Sequence, residues 1–110
     1  MIDSKLETVK LEIFIPKSHF NNLQDTLRSV GAGVVGNYDS VLSYSTIRGT
    51  WRPLAGANPY DGEHGVLCEA EEYKVEVHCH AEKLVETIAA IKAIHPYEEP
   101  VINAIPLLKV

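Results

Sequence analysis

Three stretches hold the side chains that could do chemistry in this 110-residue chain. The first is His78-Cys79-His80. If this stretch is extended, alternation puts His78 and His80 on one face, about 7 Å apart, and Cys79 on the other. Two imidazoles at that spacing could chelate a divalent metal ion, with zinc, copper and nickel the suitable ones. Cys79 could not join them. The plainer alternative makes Cys79 a small core residue and leaves the histidines at an exposed strand end. The second stretch is His95-Pro96-Tyr97-Glu98-Glu99-Pro100. Here His95 with one of the carboxylates could bind a metal or, with Tyr97 and Glu99, a polar ligand; or Pro96 could simply stop a helix, with His95 a favoured cation near its C-terminus. The third runs from Trp51 to Tyr60. It carries Trp51, Arg52, Asn58 and Tyr60 among Pro53, Gly56 and Pro59. Aromatics with an arginine on such a segment could hold an anionic or planar ligand, or a partner surface. No Gly-Lys-Ser/Thr follows, so it is no phosphate loop.

Catalytic patterns are missing. No Ser-His-Asp or Cys-His arrangement can be proposed, and no His-Glu-x-x-His occurs. Cys68 lies beside Glu69, Glu71 and Glu72, which blunts it as a nucleophile. Composition narrows the classes further. Net charge is −5 and the pI about 5.4, without the basic face that nucleic-acid binding needs. Two cysteines are too few for a disulfide scaffold. Met1 to Lys5 has no basic-then-apolar signal pattern, and no apolar run approaches the roughly 20 residues of a membrane span. These features lead to the expectation of a cytoplasmic protein with one domain over residues 1–110.

The elements that must position these stretches are legible from periodicity. Thr8 to Ile15 alternates, with Val9, Leu11, Ile13 and Ile15 on one face and Lys10, Glu12 and Phe14 on the other, which predicts a strand. Pro16 ends it and Ser18 is the expected N-cap of a helix striped by Phe20, Leu23, Leu27 and Val30. Gly31 and Gly33 stop that helix. Val41 to Ile47 has the β-branched and aromatic character of a second strand. From Arg48 to Glu63 the pattern dissolves into a long loop, a length that is usually functional in a small domain. Tyr73 to Cys79 is a third strand. Leu84, Ile88, Ile91 and Ile94 stripe a second helix, and Val101 to Leu107 closes the chain as a strand.

An internal repeat organises these elements. Shifted by 64 positions, Leu11, Ile13 and Ile15 fall on Val75, Val77 and Cys79, and Phe20, Leu27 and Val30 fall on Leu84, Ile91 and Ile94. Leu23 breaks the pattern, landing on Thr87 with Ile88 beside it. Two βαβ halves predict an α+β, ferredoxin-like βαββαβ fold: a four-stranded antiparallel sheet with both helices on one face. The other face, carrying Lys10, Glu12, Phe14, Lys74, Glu76 and His78, is left open, which favours self-association with closed symmetry.

Five motifs add a resemblance. Gly31-Ala32-Gly33, Gly36-Asn37-Tyr38-Asp39, Gly49-Thr50-Trp51-Arg52-Pro53-Leu54, Gly56-Ala57-Asn58-Pro59 and His95-Pro96-Tyr97-Glu98-Glu99-Pro100 occur in this order. Together they resemble the insert domain of the Nif-three-like proteins, the GTP cyclohydrolase I type 2 homologues. The His95 segment also resembles CutA, the divalent-cation tolerance protein. The resemblance implies a PII/CutA-like fold and a homotrimer. It further implies a non-enzymatic binding or regulatory protein with a small-molecule or protein partner at subunit clefts. A copper- or zinc-binding protein of CutA type, or a residual hydrolase, are the alternatives. The resemblance covers only the insert domain and leads to the expectation of that domain standing alone, without the two-lobed body that carries the family's dinuclear metal site; His78 and His80 do not match that site's ligands.

Overall fold

The computed structural model describes residues 7–108; the Met1 to Lys5 stretch lies outside them. Four strands form one sheet: β1 (Thr8–Ile15), β2 (Leu42–Trp51), β3 (Cys68–His80) and β4 (Ile102–Pro106). Their order is β2-β3-β1-β4, and each neighbouring pair is antiparallel. Two helices, α1 (Phe20–Ser29) and α2 (Leu84–Ile94), follow β1 and β3. This is the ferredoxin-like arrangement that two βαβ halves predict.

The core lies between one sheet face and both helices. Val9, Leu11, Ile13 and Ile15 of β1 meet Val75, Val77 and Cys79 of β3, with Leu23, Leu27 and Ile91 closing over them. Every second residue of β1 is buried, so a one-residue slip would turn the whole apolar set to solvent. Burial also pushes the Cys79 thiol up in pKa.

The 64-residue repeat is kept to the residue. Each helix is preceded by a three-residue 3₁₀ turn, Lys17–His19 and Ala81–Lys83, and Phe20 and Leu84 open the two helices. Ser18 therefore does not cap α1. It sits inside the first 3₁₀ turn, hydrogen-bonded to the His19 ring at 2.9 Å. Leu23 and Thr87 occupy equivalent core positions, both fully buried. The repeat geometry outranks the local choice of the more apolar Ile88, and the Thr87 hydroxyl is left without a partner among the described residues.

The first helix ends in a Schellman motif. The Gly31 N–H donates to the Arg28 carbonyl at 3.1 Å and the Ala32 N–H to that of Leu27 at 3.0 Å, with Gly31 at φ 79°. Gly33 then docks the chain onto the sheet. Its N–H donates to the His78 carbonyl, and its carbonyl accepts the Val41 N–H, both at 2.8 Å.

Two strands are longer than their sequence pattern suggests. β2 continues through Arg48 to Trp51, and β3 begins at Cys68 rather than Tyr73. Arg48 pairs with Glu71, Thr50 with Glu69 and Trp51 with Cys68. The helices do not cover this end of the hairpin, so the face that carries the core elsewhere is exposed and charged here, with Arg48, Glu69 and Glu71. Cross-strand charge takes over, with the Arg48 guanidinium 2.8 Å from Glu69 and 3.8 Å from Glu71. Alternating hydrophobicity could not have marked strands held this way. The loop that remains spans residues 52–67.

Candidate functional site

The open face of the sheet has two characters along its length. In its middle, Lys10, Glu12, Lys74 and Glu76 neutralise one another. The Lys10 ammonium is 2.9 Å from Glu76, and Lys74 is 3.5 Å from Glu12. The bond between them holds Lys10 above and Glu76 below their ordinary pKa ranges. Toward the far end of the β2–β3 hairpin the face becomes apolar and hollow. A cleft of about 600 Å³ opens there, floored by Phe14, Ile47, Gly49 and Glu72 and walled by Trp51, Pro53, Tyr60, Tyr97 and Val101.

Loop 52–67 forms one wall because it is tied to itself and to the hairpin. The Trp51 indole N–H donates to the Asp61 carbonyl at 3.0 Å. The Gly65 N–H donates to the Pro53 carbonyl at 2.7 Å, and the His64 Nε2–H to that of Ala57 at 2.6 Å. The α2–β4 connection forms the opposite wall. The Asn58 N–H donates to Glu98 Oε2 at 2.9 Å and joins the two walls. Tyr60 stands between His19 and Tyr97, its ring centroid 6.0 Å from each.

His95 is the hinge-pin of the second wall. It is 7% exposed. Its Nε2–H donates to the Phe14 carbonyl at 2.7 Å, and its Nδ1 accepts the Tyr97 N–H at 3.2 Å. With one nitrogen donating and the other accepting, the ring is neutral and its tautomer set. Burial lowers its pKa below the ordinary histidine value. His95 is therefore not the solvated cation expected at a helix C-terminus. Tyr97 follows, its hydroxyl donating to Glu72 Oε2 at 3.1 Å. Burial, then the neighbouring Glu72 charge, pushes the Tyr97 hydroxyl far up in pKa, so it stays a donor.

Trp51, Arg52, Tyr60, Tyr97 and Glu99, singled out from the sequence, all line this one cleft. Asn58 and His95 do not line it; they hold its walls. Glu72, Gly49, Phe14 and Ile47 are additions that sequence reasoning missed. Glu72 shares the parity of Lys74 and Glu76, so its face was legible, but its position depends on the extension of β2 beside it.

His78 and His80 lie apart from the cleft. Both are exposed on β3, and His78 is six residues from Glu72, about 20 Å along a strand. His78 borders a smaller hollow of about 270 Å³ with Lys10, Val35, Val41 and Glu76. Cys79 points into the core, opposite the two imidazoles. Among the described residues, no three or more His, Cys, Asp or Glu side chains are grouped to hold a metal, and no helix is long and apolar enough to cross a membrane.

Comparison with known proteins agrees with this fold. Residues 63–110 match the family model of the CutA1 divalent ion tolerance protein. A GTP cyclohydrolase 1 type 2 homolog of Halalkalibacterium halodurans is 37% identical over 98 residues, covering 89% of this chain and 26% of the relative. The crystal structure of a Bacillus cereus protein related to NIF3 superposes with a TM-score of 0.81 at 30% identity, over 97% of this chain and 27% of that one. The periplasmic divalent cation tolerance protein CutA from Archaeoglobus fulgidus superposes with a TM-score of 0.69 at 20% identity, over 94% and 86% of the two chains. The chain thus spans about a quarter of the length of the curated relatives it matches. Along nearly its whole length it is related to one segment of the GTP cyclohydrolase 1 type 2 homologues, the NIF3-related proteins, and it has the fold of CutA.

Proposed function

We propose that the protein is a non-enzymatic binding protein of the PII/CutA-like class, with its ligand in the cleft between loop 52–67 and the α2–β4 connection. The observation that carries this reading is the convergence of two distant aromatic stretches on one hollow. Trp51 and Tyr60 come from one, Tyr97 and Glu99 from the other. Its volume of about 600 Å³ falls in the range of small-molecule sites, roughly 300–1,000 Å³. The half-covered sheet face, with Phe14 and Ile105 among its neutralised charges, favours self-association, and the resemblance to the PII/CutA-like class implies a homotrimer in which neighbouring subunits border the cleft.

Amide chemical-shift mapping with a small-fragment mixture tests the site. Shifts concentrated on the Trp51 indole and the Tyr97 and Asn58 amides support it; shifts confined to other surfaces overturn it. Light scattering that reports a monomer at micromolar concentration would sink the trimer.

A divalent-metal reading is favoured by one observation: the CutA1 match spans His78 and His80. Calorimetric titration with copper and zinc should then show binding that His78→Ala/His80→Ala removes. Binding unchanged in that variant would exclude this histidine pair.

A further inference from the structure

Cations pair the glutamates of the sheet in a regular way, with one exception. Glu69 is 2.8 Å from Arg48, Glu71 is 2.8 Å from Lys17, and Glu76 is 2.9 Å from Lys10. On β1, Glu12 is 3.5 Å from Lys74. Glu72 alone among these has no cation within ion-pair distance among the described residues. Its one hydrogen-bond partner among the described residues is the neutral Tyr97 hydroxyl, at 3.1 Å on Oε2.

The strand beside it makes room for this carboxylate. A Cβ at Gly49 would lie 2.8 Å from Glu72 Oε1, so any other residue there would push the group away. Glu72 is half-buried and belongs to the cleft floor. A carboxylate drawn partly out of water without a counter-charge is costly, and a cation that arrives with a ligand relieves the cost. The surrounding walls suit such a ligand. Trp51, Tyr60 and Tyr97 line the cleft with aromatic rings, whose faces attract cations. The Tyr97 hydroxyl orients the carboxylate without neutralising it.

We infer that the cleft takes an organic cation, an ammonium or guanidinium group on a flat or apolar body, with its charge against Glu72 and its body between Trp51, Tyr60 and Tyr97. This rests on the cleft being the ligand site, and specifies the chemistry of what enters it.

The test uses three probes with one body and different charge: phenethylammonium, phenethyl alcohol and phenylacetate. Each is titrated into the full chain while the emission of Trp51, its one tryptophan, is followed. The ammonium is expected to bind about tenfold more tightly than the alcohol, the gain of one charge-assisted hydrogen bond, with phenylacetate weakest. Glu72→Gln keeps an acceptor for Tyr97 and should collapse that preference. Gly49→Ala, which displaces the carboxylate without removing it, should reduce it too. Equal binding of all three probes would leave the cleft reading standing and overturn the charge assignment. So would tighter binding of phenylacetate, through Arg52. A preference that survives both substitutions also overturns it. No response to any probe would overturn the cleft reading itself.

Discussion

The His95 imidazole donates to the Phe14 carbonyl across 81 residues of chain, at 2.7 Å. This one bond fixes the start of the α2–β4 connection to the end of β1, and so sets one wall of the cleft. The same ring accepts the Tyr97 N–H, a bond that only the neutral form can make.

A pH dependence follows. A free histidine charges near pH 6.5. In the fold, charging would cost the Tyr97 bond and bury a cation, so the folded pKa lies lower and protons bind the unfolded chain more readily. Stability contributed by His95 is then present above about pH 6.5 and lost as pH falls through the window below it. Urea midpoints measured between about pH 5 and 7.5 should fall toward the acid end in the native chain. For His95→Ala, destabilised by about 2 kcal/mol at neutral pH, the curve should be flatter. Parallel curves would remove His95 from this role.

Gly33 sits at φ 78°, and a Cβ there would lie 2.8 Å from the Val41 backbone oxygen. Backbone cannot yield as a side-chain tip can. Gly33→Ala should cost about 2 kcal/mol and weaken the junction of residues 33–41 with β3. Thermal unfolding measures this. A loss below about 0.5 kcal/mol would mean that the junction rearranges.

Thr87 fills a core position with a hydroxyl that has no partner among the described residues. Thr87→Val keeps the shape and removes the polar atom. It should stabilise the fold by about 1 kcal/mol, read as a raised denaturant midpoint. A destabilised variant would show that the hydroxyl finds a partner, such as a buried water.

The Asn58 N–H to Glu98 contact joins the two walls of the cleft. It is solvent-exposed, so Glu98→Ala should leave global stability within about 0.5 kcal/mol. It should nonetheless speed amide hydrogen exchange at Asn58 and through loop 52–67. Unchanged exchange would assign loop order to the Trp51 and His64 bonds alone.

The sequence by itself determined the repeat and what the repeat implies. Alternation at Thr8 to Ile15 and at Tyr73 to Cys79 placed the core faces of the two central strands, because burial beneath helices leaves a period-two record. The 64-residue shift carried the same frame into both helices, and even its one failure, Thr87, proved to hold the register. Trp51, Tyr60, Tyr97 and Glu99 were visible as candidates through residue type alone.

The tertiary structure decided that these four line one cleft, with Glu72 at its floor. That outcome depends on β2 and β3 pairing past the reach of the helices, where exposed Arg48, Glu69 and Glu71 occupy the face that carries the core elsewhere. There, Arg48 with its two glutamates, the space over Gly49 and the His95 bond to Phe14 set the geometry. Each is a relation between residues far apart in the chain, and local pattern carries no trace of it.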